Sequence, residues 1–150
     1  MPKIEIETFV HAPIQTCFDL SRSIDVHMQS TSQTKEKAIA GVTSGLIGLN
    51  EIVTWEAIHF GVKMRLTSKI TEFNFPSYFV DEMVKGPFKR IRHEHHFIED
   101  KNGTKVIDSF DYTSPLGILG KIADQLFLRE YMKKFLLIRN QYIKELAEQK

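Results

Sequence analysis

Two histidines stand two residues apart in a segment that alternates along its length. His93 and His95 occupy odd positions, and Arg92, Glu94 and His96 occupy the even positions between and beside them. Because successive side chains of a β-strand point to opposite faces, His93 and His95 are expected on one face. Histidine titrates near neutral pH, so this pair is suited to general acid–base chemistry. The other three residues are expected to form cross-strand charge pairs on the solvated face.

A carboxylate could assist this pair, because a neighbouring acid sets the tautomer of a histidine. Asp108, on a later predicted strand, is suitable, and we name His93, His95 and Asp108 as the catalytic candidates. Hydrogen-bonded structural histidines are the alternative. A metal site would need a third ligand, for which only His59 and Asp108 come into question. No motif fixes such a ligand, so we predict no metal and no other cofactor.

Nucleophilic and phosphate chemistry find no support in the sequence. Cys17 is the single cysteine and lies in an apolar helical segment, which predicts a small buried side chain and excludes an internal disulfide framework. No Gly-x-Ser-x-Gly motif occurs. The glycines between Gly41 and Gly48 lack the spacing and the lysine of a P-loop.

Large apolar residues share the predicted face of the histidines, as in sites for small molecules. On the strand at 78–84 the assignment is ambiguous, since Phe79, Asp81 and Met83 alternate with Tyr78 and Val80. Plain core packing is the alternative for each apolar residue. The predicted ligand-binding residues are Trp55, His59, Met64, Leu66, Phe79, Met83, His95, Phe97, Phe110, Tyr112, Leu119 and Ala123.

The elements that must position these residues follow from periodicity and turn residues. A strand at 3–10 precedes a helix that has Pro13 in its first turn and runs to about Leu20. A second short helix spans Ile24–Gln29 with Ser23 as its cap, and Ser30–Thr34 is predicted as a loop. Further strands are predicted at Lys37–Val42, Glu51–Phe60, Val62–Phe73, Tyr78–Lys85, Arg90–Glu99 and Val106–Tyr112. Their short connections favour antiparallel neighbours and a curved meander.

One long helix is predicted from Leu116 to about Glu148, and it is the only element large enough to cover the apolar face of the sheet. Steps of three and four define its buried stripe, which comprises Leu119, Ala123, Phe127, Tyr131, Phe135, Ile138, Tyr142 and Leu146. Its first turns are apolar on more than one face. This leaves open a lid over a pocket, a homodimer, a protein partner or a simply buried helix end.

Length and composition restrict the class of protein. The 150 residues are 42% hydrophobic and 26% charged, which is typical of one globular domain spanning 1–150. The formal net charge of +1 provides no electrostatic footprint for nucleic acid. No secretory leader pattern opens the chain, and no stretch is apolar over the length that a transmembrane segment needs. We therefore predict a cytoplasmic location.

The order of elements and several local segments resemble the SRPBCC, START-like (Bet v 1-like) superfamily, in particular bacterial polyketide cyclase/dehydrase and lipid-transport members. The similar segments are Phe9-Val10-His11-Ala12-Pro13-Ile14, Gly45-Leu46-Ile47-Gly48, residues 53–61, Phe79-Val80-Asp81-Glu82-Met83, Gly86-Pro87-Phe88, His93-Glu94-His95-His96-Phe97 and Ser114-Pro115-Leu116-Gly117. The resemblance covers essentially the whole chain. It implies an α+β helix-grip fold, in which a curved antiparallel sheet of about six to seven strands wraps around the C-terminal helix, with two short helices after the first strand.

The same resemblance implies a cavity between the sheet and the C-terminal helix, and hence a small hydrophobic ligand such as a polyketide-like molecule, a quinone or a lipid. Fold alone does not determine activity. An enzyme of the cyclase/dehydratase type, with histidine acid–base chemistry, and a protein-interaction module therefore remain the competing interpretations.

Overall fold

The structure is a computed structural model that describes residues 3–114 and 127–149. Its first strand, β1 (Lys3–Val10), follows the alternation of the sequence: Ile4, Ile6 and Val10 are buried, and Glu5 and Glu7 are exposed. Pro13 then ends the strand pattern and directly precedes α1 (Ile14–Ser21). Its fixed φ and missing N–H group are tolerated at a helix start.

A second short helix, α2 (Ile24–Ser30), is capped as predicted. The Ser23 hydroxyl oxygen accepts a hydrogen bond from the Val26 backbone N–H at 3.2 Å, and Asp25 lies in the first turn. Such a cap satisfies one of the free N–H groups of a helix start. The segment predicted as a loop is more regular than expected, since Ser30 completes α2 and Ser32–Thr34 forms one 3₁₀ turn.

Six strands follow in an antiparallel meander, with every consecutive pair hydrogen-bonded. They are β2 (Lys37–Gly41), β3 (Ile52–His59), β4 (Val62–Asn74), β5 (Tyr78–Lys85), β6 (Arg90–Asp100) and β7 (Gly103–Thr113). β1 returns to pair with β7, with Val10 opposite Thr104, so the seven-stranded sheet has the order β1-β7-β6-β5-β4-β3-β2. The predicted helix-grip class is confirmed, with seven strands.

Local backbone features explain how neighbouring strands reverse and curve. Asp100 pairs with Gly103, so only Lys101 and Asn102 connect β6 to β7, and Asn102 adopts a positive φ of 62°. Asparagine tolerates this left-handed conformation in two-residue hairpin turns. The pairings β2–β3 and β4–β5 contain register shifts, at Ala38/Ala40 and at Thr67/Ser68 and Ile70/Glu72. Such bulges increase local twist and help the sheet to curve.

The described part of the C-terminal helix, α3 (Arg129–Glu148), packs against β1, α1 and α2. Its fully buried residues are Leu136, Arg139, Asn140, Ile143 and Ala147. The predicted stripe was therefore wrong in part. Phe127 and Ile138 are exposed, whereas two polar residues at positions 139 and 140 occupy the centre of the buried face. A hydrophobicity pattern excludes these residues because it ignores hydrogen bonds that compensate burial.

Two buried clusters form the core. One surrounds Phe18 of α1, whose ring contacts Phe79 and Phe97 of the sheet with centroids 5.2 Å away in each case. The other joins Ile4, Tyr112 and Leu136 at the opposite end of the sheet. Within residues 3–114 and 127–149, no helix has the length and the hydrophobicity that crossing a membrane requires. The apolar first turns predicted from Leu116 lie outside the described residues, as do Leu119 and Ala123.

Candidate functional site

A cavity of about 320 Å³ lies between the inner face of the sheet and α3. This volume is at the low end of the range for small-molecule pockets. Seven of the residues predicted to bind a ligand line it: Trp55, His59, Met64, Leu66, Phe79, His95 and Phe110. The strand alternation predicted from the sequence therefore places these side chains on one surface, which borders the cavity.

Three other predicted ligand-binding residues do not line the cavity. Tyr112 is fully buried and packs between Phe88 and Phe110, with ring centroids 5.6 Å apart in both contacts. Phe97 is buried against Phe18, and Met83 packs against the cluster around Tyr112. These three residues pack against residues that line the cavity or against the core cluster around Tyr112. Alternation identifies the face of a strand but not how far along it a cavity extends.

Several lining residues were absent from the sequence-based prediction. They come from α1, α2, β3 to β6, the intervening loops and α3, and those that the site depends on are Asp81, Tyr131, Met132, Phe135, Leu136 and Arg139. Asp81 is two residues beyond Phe79 on the same strand face, so the spacing contained the signal. The face of β5 was ambiguous because Phe79 and Val80 are both apolar, and both are buried.

A group of polar side chains lies on one wall of this mostly apolar cavity, and we call Asp81, His93, His95 and Asp108 the polar cluster. His93 Nε2 is 2.8 Å from Asp108 Oδ1, and His95 Nε2 is 2.7 Å from Asp81 Oδ2. The two imidazole rings stack with centroids 3.8 Å apart. The predicted catalytic candidates are thus in mutual contact, with Asp81 as an additional carboxylate.

Two residues of α3 anchor Asp108 from the opposite side. Asn140 Nδ2 donates to Asp108 Oδ2 at 2.6 Å, and the Arg139 guanidinium lies 3.8 Å from Asp108 Oδ1. Arg139 also donates to the Ser21 carbonyl oxygen at 3.0 Å. Buried charges persist only when they are paired and hydrogen-bonded. The helix therefore holds the carboxylate in one position behind the histidines.

The electrostatic environment shifts the pKa values of the two histidines in opposite directions. Burial lowers the pKa of His93, and the nearby His95 lowers it further against the opposing effect of Asp108. Burial also acts to lower the pKa of His95, but the nearby Asp108 carboxylate and the hydrogen bond to Asp81 outweigh it and the pKa is raised. His95 Nδ1, 3.4 Å from Asp108 Oδ1, is buried without a hydrogen-bond partner, so that contact is electrostatic. His95 is the better proton donor and His93 the better acceptor.

Both carboxylates of the polar cluster stay ionised. Burial acts to raise the pKa of Asp108, yet the hydrogen bond from His93 and the nearby His95 hold it well below the usual range. The pKa of Asp81 is lowered in the same way, since the hydrogen bond from His95 and the charge of His93 exceed the effect of burial. Asp81, His93 and His95 also place potential metal-ligating atoms within 4.8 Å of one another.

His59 lies elsewhere on the cavity wall and does not belong to the polar cluster. Its Nδ1 is 2.6 Å from the Tyr131 hydroxyl oxygen, and its ring contacts Phe135 edge-on, so it connects β3 to α3. Phe60, beside it in the chain, is largely exposed and packs on Tyr131 with centroids 4.5 Å apart. Burial lowers the pKa of His59, against a small opposing effect of Glu36.

The alternate residues of β6 face away from the cavity, as predicted. Arg92 contacts three carboxylates, at 2.9 Å from Glu72, 3.3 Å from Glu82 and 3.1 Å from Glu94. His96 Nε2 is 3.0 Å from Glu94 Oε1. The pairs of Arg92 with Glu72 and Glu82 cross to β4 and β5, whereas the two pairs of Glu94 lie within β6, and we call the whole set the outer charge network.

Solved structures with the same architecture occur in bacteria and plants. The protein TTHA0849 of Thermus thermophilus aligns with a TM-score of 0.78 and 18% identity over 96% of this chain and 95% of that one. The major latex-like protein 151 of Panax ginseng aligns with a TM-score of 0.71 and 18% identity over 97% of each chain. At this identity the likeness establishes the Bet v 1-like fold. No curated protein matches the chain.

The sequence itself matches a family model over most of its length. Residues 10–131 fit the model described as polyketide cyclase / dehydrase and lipid transport. The match includes β2 to β7 and the whole polar cluster. It agrees with the superfamily resemblance seen in the sequence and with the folds of the solved structures. The chain therefore belongs to the polyketide cyclase/dehydrase and lipid transport family.

Proposed function

We propose that the protein binds one small, mostly hydrophobic molecule in the cavity, with a polar group of that molecule directed towards the polar cluster. The observation that carries this proposal is the contrast within one cavity. Aromatic, aliphatic and thioether side chains form most of its wall, while Asp81, His93 and His95 converge on one side. Sites for small molecules combine an apolar wall with few polar groups in this way.

The apolar wall supports a flat or unsaturated ligand. Phe79 stacks on His95 with centroids 4.1 Å apart at an interplanar angle of 12°, and Trp55 contributes to the wall from β3. Met64, Leu66 and Met132 supply flexible side chains that adapt to irregular shapes. Burial of an apolar body provides affinity of roughly 25 cal/mol per Å² before the costs of binding.

The polar cluster restricts the chemistry of the ligand. A hydroxyl or carbonyl oxygen would match His93, because its Nδ1 is 4.0 Å from Asp81, beyond hydrogen-bond distance, and a histidine nitrogen donates or accepts according to its tautomer. An isolated anion would meet the ionised carboxylate of Asp81, which lines the cavity. We therefore favour a neutral oxygen function on a hydrophobic skeleton. Polyketide-like aromatics, quinones and neutral lipids have this character.

The test is to fill the cavity from one strand position and compare it with the neighbouring residue on the outer face. Ala57 lines the cavity on β3, whereas Ile58 is exposed. We expect Ala57→Trp to weaken binding of a neutral fluorescent lipid analogue at least about tenfold, or 1.4 kcal/mol. Ile58→Trp should leave the affinity unchanged, and native mass spectrometry should show one ligand per chain.

Circular dichroism shows whether each variant is folded. If Ala57→Trp does not fold, Ser68→Phe provides a second obstruction of the cavity from β4. Equal binding by the filled and the control variants would place the ligand elsewhere and disprove the proposal. Failure of the unmodified protein to bind any neutral lipophilic probe would do the same.

A second candidate function is proton transfer on the bound molecule, as in a cyclase or dehydratase. It is favoured by the 2.8 Å contact between His93 and Asp108, because a buried carboxylate orients a histidine that moves a proton. If the protein is such an enzyme, a His93→Ala/His95→Ala double variant should bind ligand but no longer convert a polyketide-type substrate. If conversion persists in a folded double variant, the histidines are not the acid and base.

A further inference from the structure

Two adjacent strands bring three potential ligands of a metal ion together. β5 contributes Asp81 and β6 contributes His93 and His95, with Asp81 directly opposite His93 in the strand register. Asp81 Oδ2 lies 2.7 Å from His95 Nε2 and 4.0 Å from His93 Nδ1. These are the atoms that face one another, and the three ligating atoms lie within 4.8 Å.

The remaining nitrogen atoms of both rings point at one carboxylate behind them. His93 Nε2 is 2.8 Å and His95 Nδ1 is 3.4 Å from Asp108 Oδ1. Asn140 fixes the other oxygen of Asp108 at 2.6 Å. Metal-bound histidines almost always direct their second nitrogen to such an acceptor, which sets the tautomer and the ring orientation. The buried Nδ1 of His95 has no hydrogen-bond partner, so its acceptor is in place but unused.

We infer that Asp81, His93 and His95 form a binding site for one divalent transition-metal ion, through Asp81 Oδ2, His93 Nδ1 and His95 Nε2. Two imidazoles and one carboxylate suit zinc, cobalt or ferrous iron, and three protein ligands leave a coordination position open. Asp81 lines the cavity, so the open position faces the space in which a ligand would lie.

Coordination requires the three ligating atoms, now within 4.8 Å of one another, to adjust their separations. Metal–ligand bonds of about 2.0–2.2 Å in a tetrahedral site separate ligand atoms by roughly 3.3 Å. The contact between Asp81 and His95 would lengthen from 2.7 Å, and that between Asp81 and His93 would shorten from 4.0 Å. The ion takes the place of the proton that joins Asp81 Oδ2 to His95 Nε2, and that proton is released to solvent.

The local charge also suits a dication. Asp81 and Asp108 carry two negative charges, of which the buried Arg139, 3.8 Å from Asp108 Oδ1, offsets one, so the cluster stays anionic when both histidines are neutral. A bound ion would polarise a carbonyl or hydroxyl oxygen that entered its open position. The metal alone can be titrated into the protein, so the site can be tested independently of the proposed function.

The first experiment adds Co²⁺ to the full chain and records the visible absorption bands of the bound ion. We expect one ion per chain, displaced by Zn²⁺. Asp81→Asn should weaken binding at least about tenfold, since changes outside the ligand shell already cost about 10–100-fold. Glu82→Gln, the next residue on the outer face of β5, is the matched control and should bind like the unmodified protein.

The second experiment keeps the sequence unchanged, so that folding cannot confuse the outcome. Nitrogen-15 NMR of the imidazoles with Zn²⁺ should show metal on His93 Nδ1 and His95 Nε2, with the signals of His59 and His96 unaffected. No stoichiometric binding of Co²⁺ or Zn²⁺ overturns the inference. Binding at other nitrogens, or binding retained in a folded Asp81→Asn variant, also overturns it.

Discussion

The two faces of β6 place the same kinds of side chain in opposite surroundings. Towards the cavity, His95 is 2% exposed and held between two carboxylates. Towards solvent, the His96 side chain is 39% exposed and contacts Glu94, which also pairs with Arg92. Water and salt screen the outer charges, whereas the inner ones interact strongly and carry a large desolvation cost.

The difference teaches which charges to associate with function. Forming or breaking an outer pair changes the free energy of unfolding little. The presence of such a pair therefore indicates how the strands are aligned and does not indicate a functional site. An inner cluster is kept despite its cost, and strongly perturbed pKa values in a cavity are typical of sites that bind or react. The polar cluster and the outer charge network thus differ in their environment more than in their residue types.

The largest expected effect comes from breaking the inner side. Asp108→Ala removes the acceptor of His93 and Asn140 and leaves the buried guanidinium of Arg139 without its neighbouring carboxylate. Loss of one partner from such a group costs about 3–5 kcal/mol. We expect urea unfolding, with a chelator present, to show this loss of unfolding free energy. A loss below about 1 kcal/mol, the most that an exposed pair contributes, would mean that the two faces are energetically alike.

A smaller effect is expected on the outer side. Arg92→Ala removes contacts to Glu72, Glu82 and Glu94 at once, yet these groups are partly exposed. Exposed pairs contribute about 0.2–1 kcal/mol each at most, and salt screens them. Three such contacts sum to about 0.6–3 kcal/mol, so the same urea measurement should give a total loss smaller than that of Asp108→Ala, and this loss should decrease in concentrated salt. A loss as large as that of Asp108→Ala would contradict the comparison.

The smallest effect, a pH dependence, is expected at His59, which is partly buried and pairs with a tyrosine hydroxyl. Burial lowers its folded pKa below the unfolded value of about 6.5. The unfolded chain therefore binds more protons as the pH falls through this range, so the stabilisation is full above about pH 6.5 and is lost below it. Tyr131 and Glu36 are the titratable groups that act on it.

His59→Gln tests this dependence because glutamine keeps a polar side chain without titrating. Between about pH 7.5 and pH 5.5, the variant should lose less unfolding free energy than the unmodified protein. Thermal unfolding in matched buffers measures the difference. Parallel losses in both proteins would show that His59 does not contribute to acid sensitivity.

Much of the fold was predictable because it depends on local patterns. Pro13 and Ser23 mark helix starts, and the Asp100-Lys101-Asn102-Gly103 turn fixes the register of β6 against β7. The inward orientation of His59, His93 and His95 followed from strand alternation alone. The buried face of α3 was less predictable, because Arg139 and Asn140 occupy it through hydrogen bonds to distant residues. Such bonds have no signature in the periodicity of the helix.

The sequence predicted most residues of the site but did not predict which of their side chains contact one another. The sequence identified His93, His95 and Asp108, yet it offered His59 as a partner, which lies with Tyr131 instead. Asp81 was the missing member. Its approach to His95 depends on the register of β5 against β6, and two irregularities shift β5 against β4. Residue spacing within one strand does not contain that information.

The closure of the sheet by β1 against β7 has a consequence for biosynthesis. Val10 leaves the ribosome long before Thr104, its partner, has been translated. Contacts between such distant segments close large loops and slow folding. During translation, β1 stays unpaired until β7 has been made, so the seven-stranded sheet is completed late. A nascent chain that stops before the seventh strand lacks Asp108 of the polar cluster and Phe110 of the cavity wall.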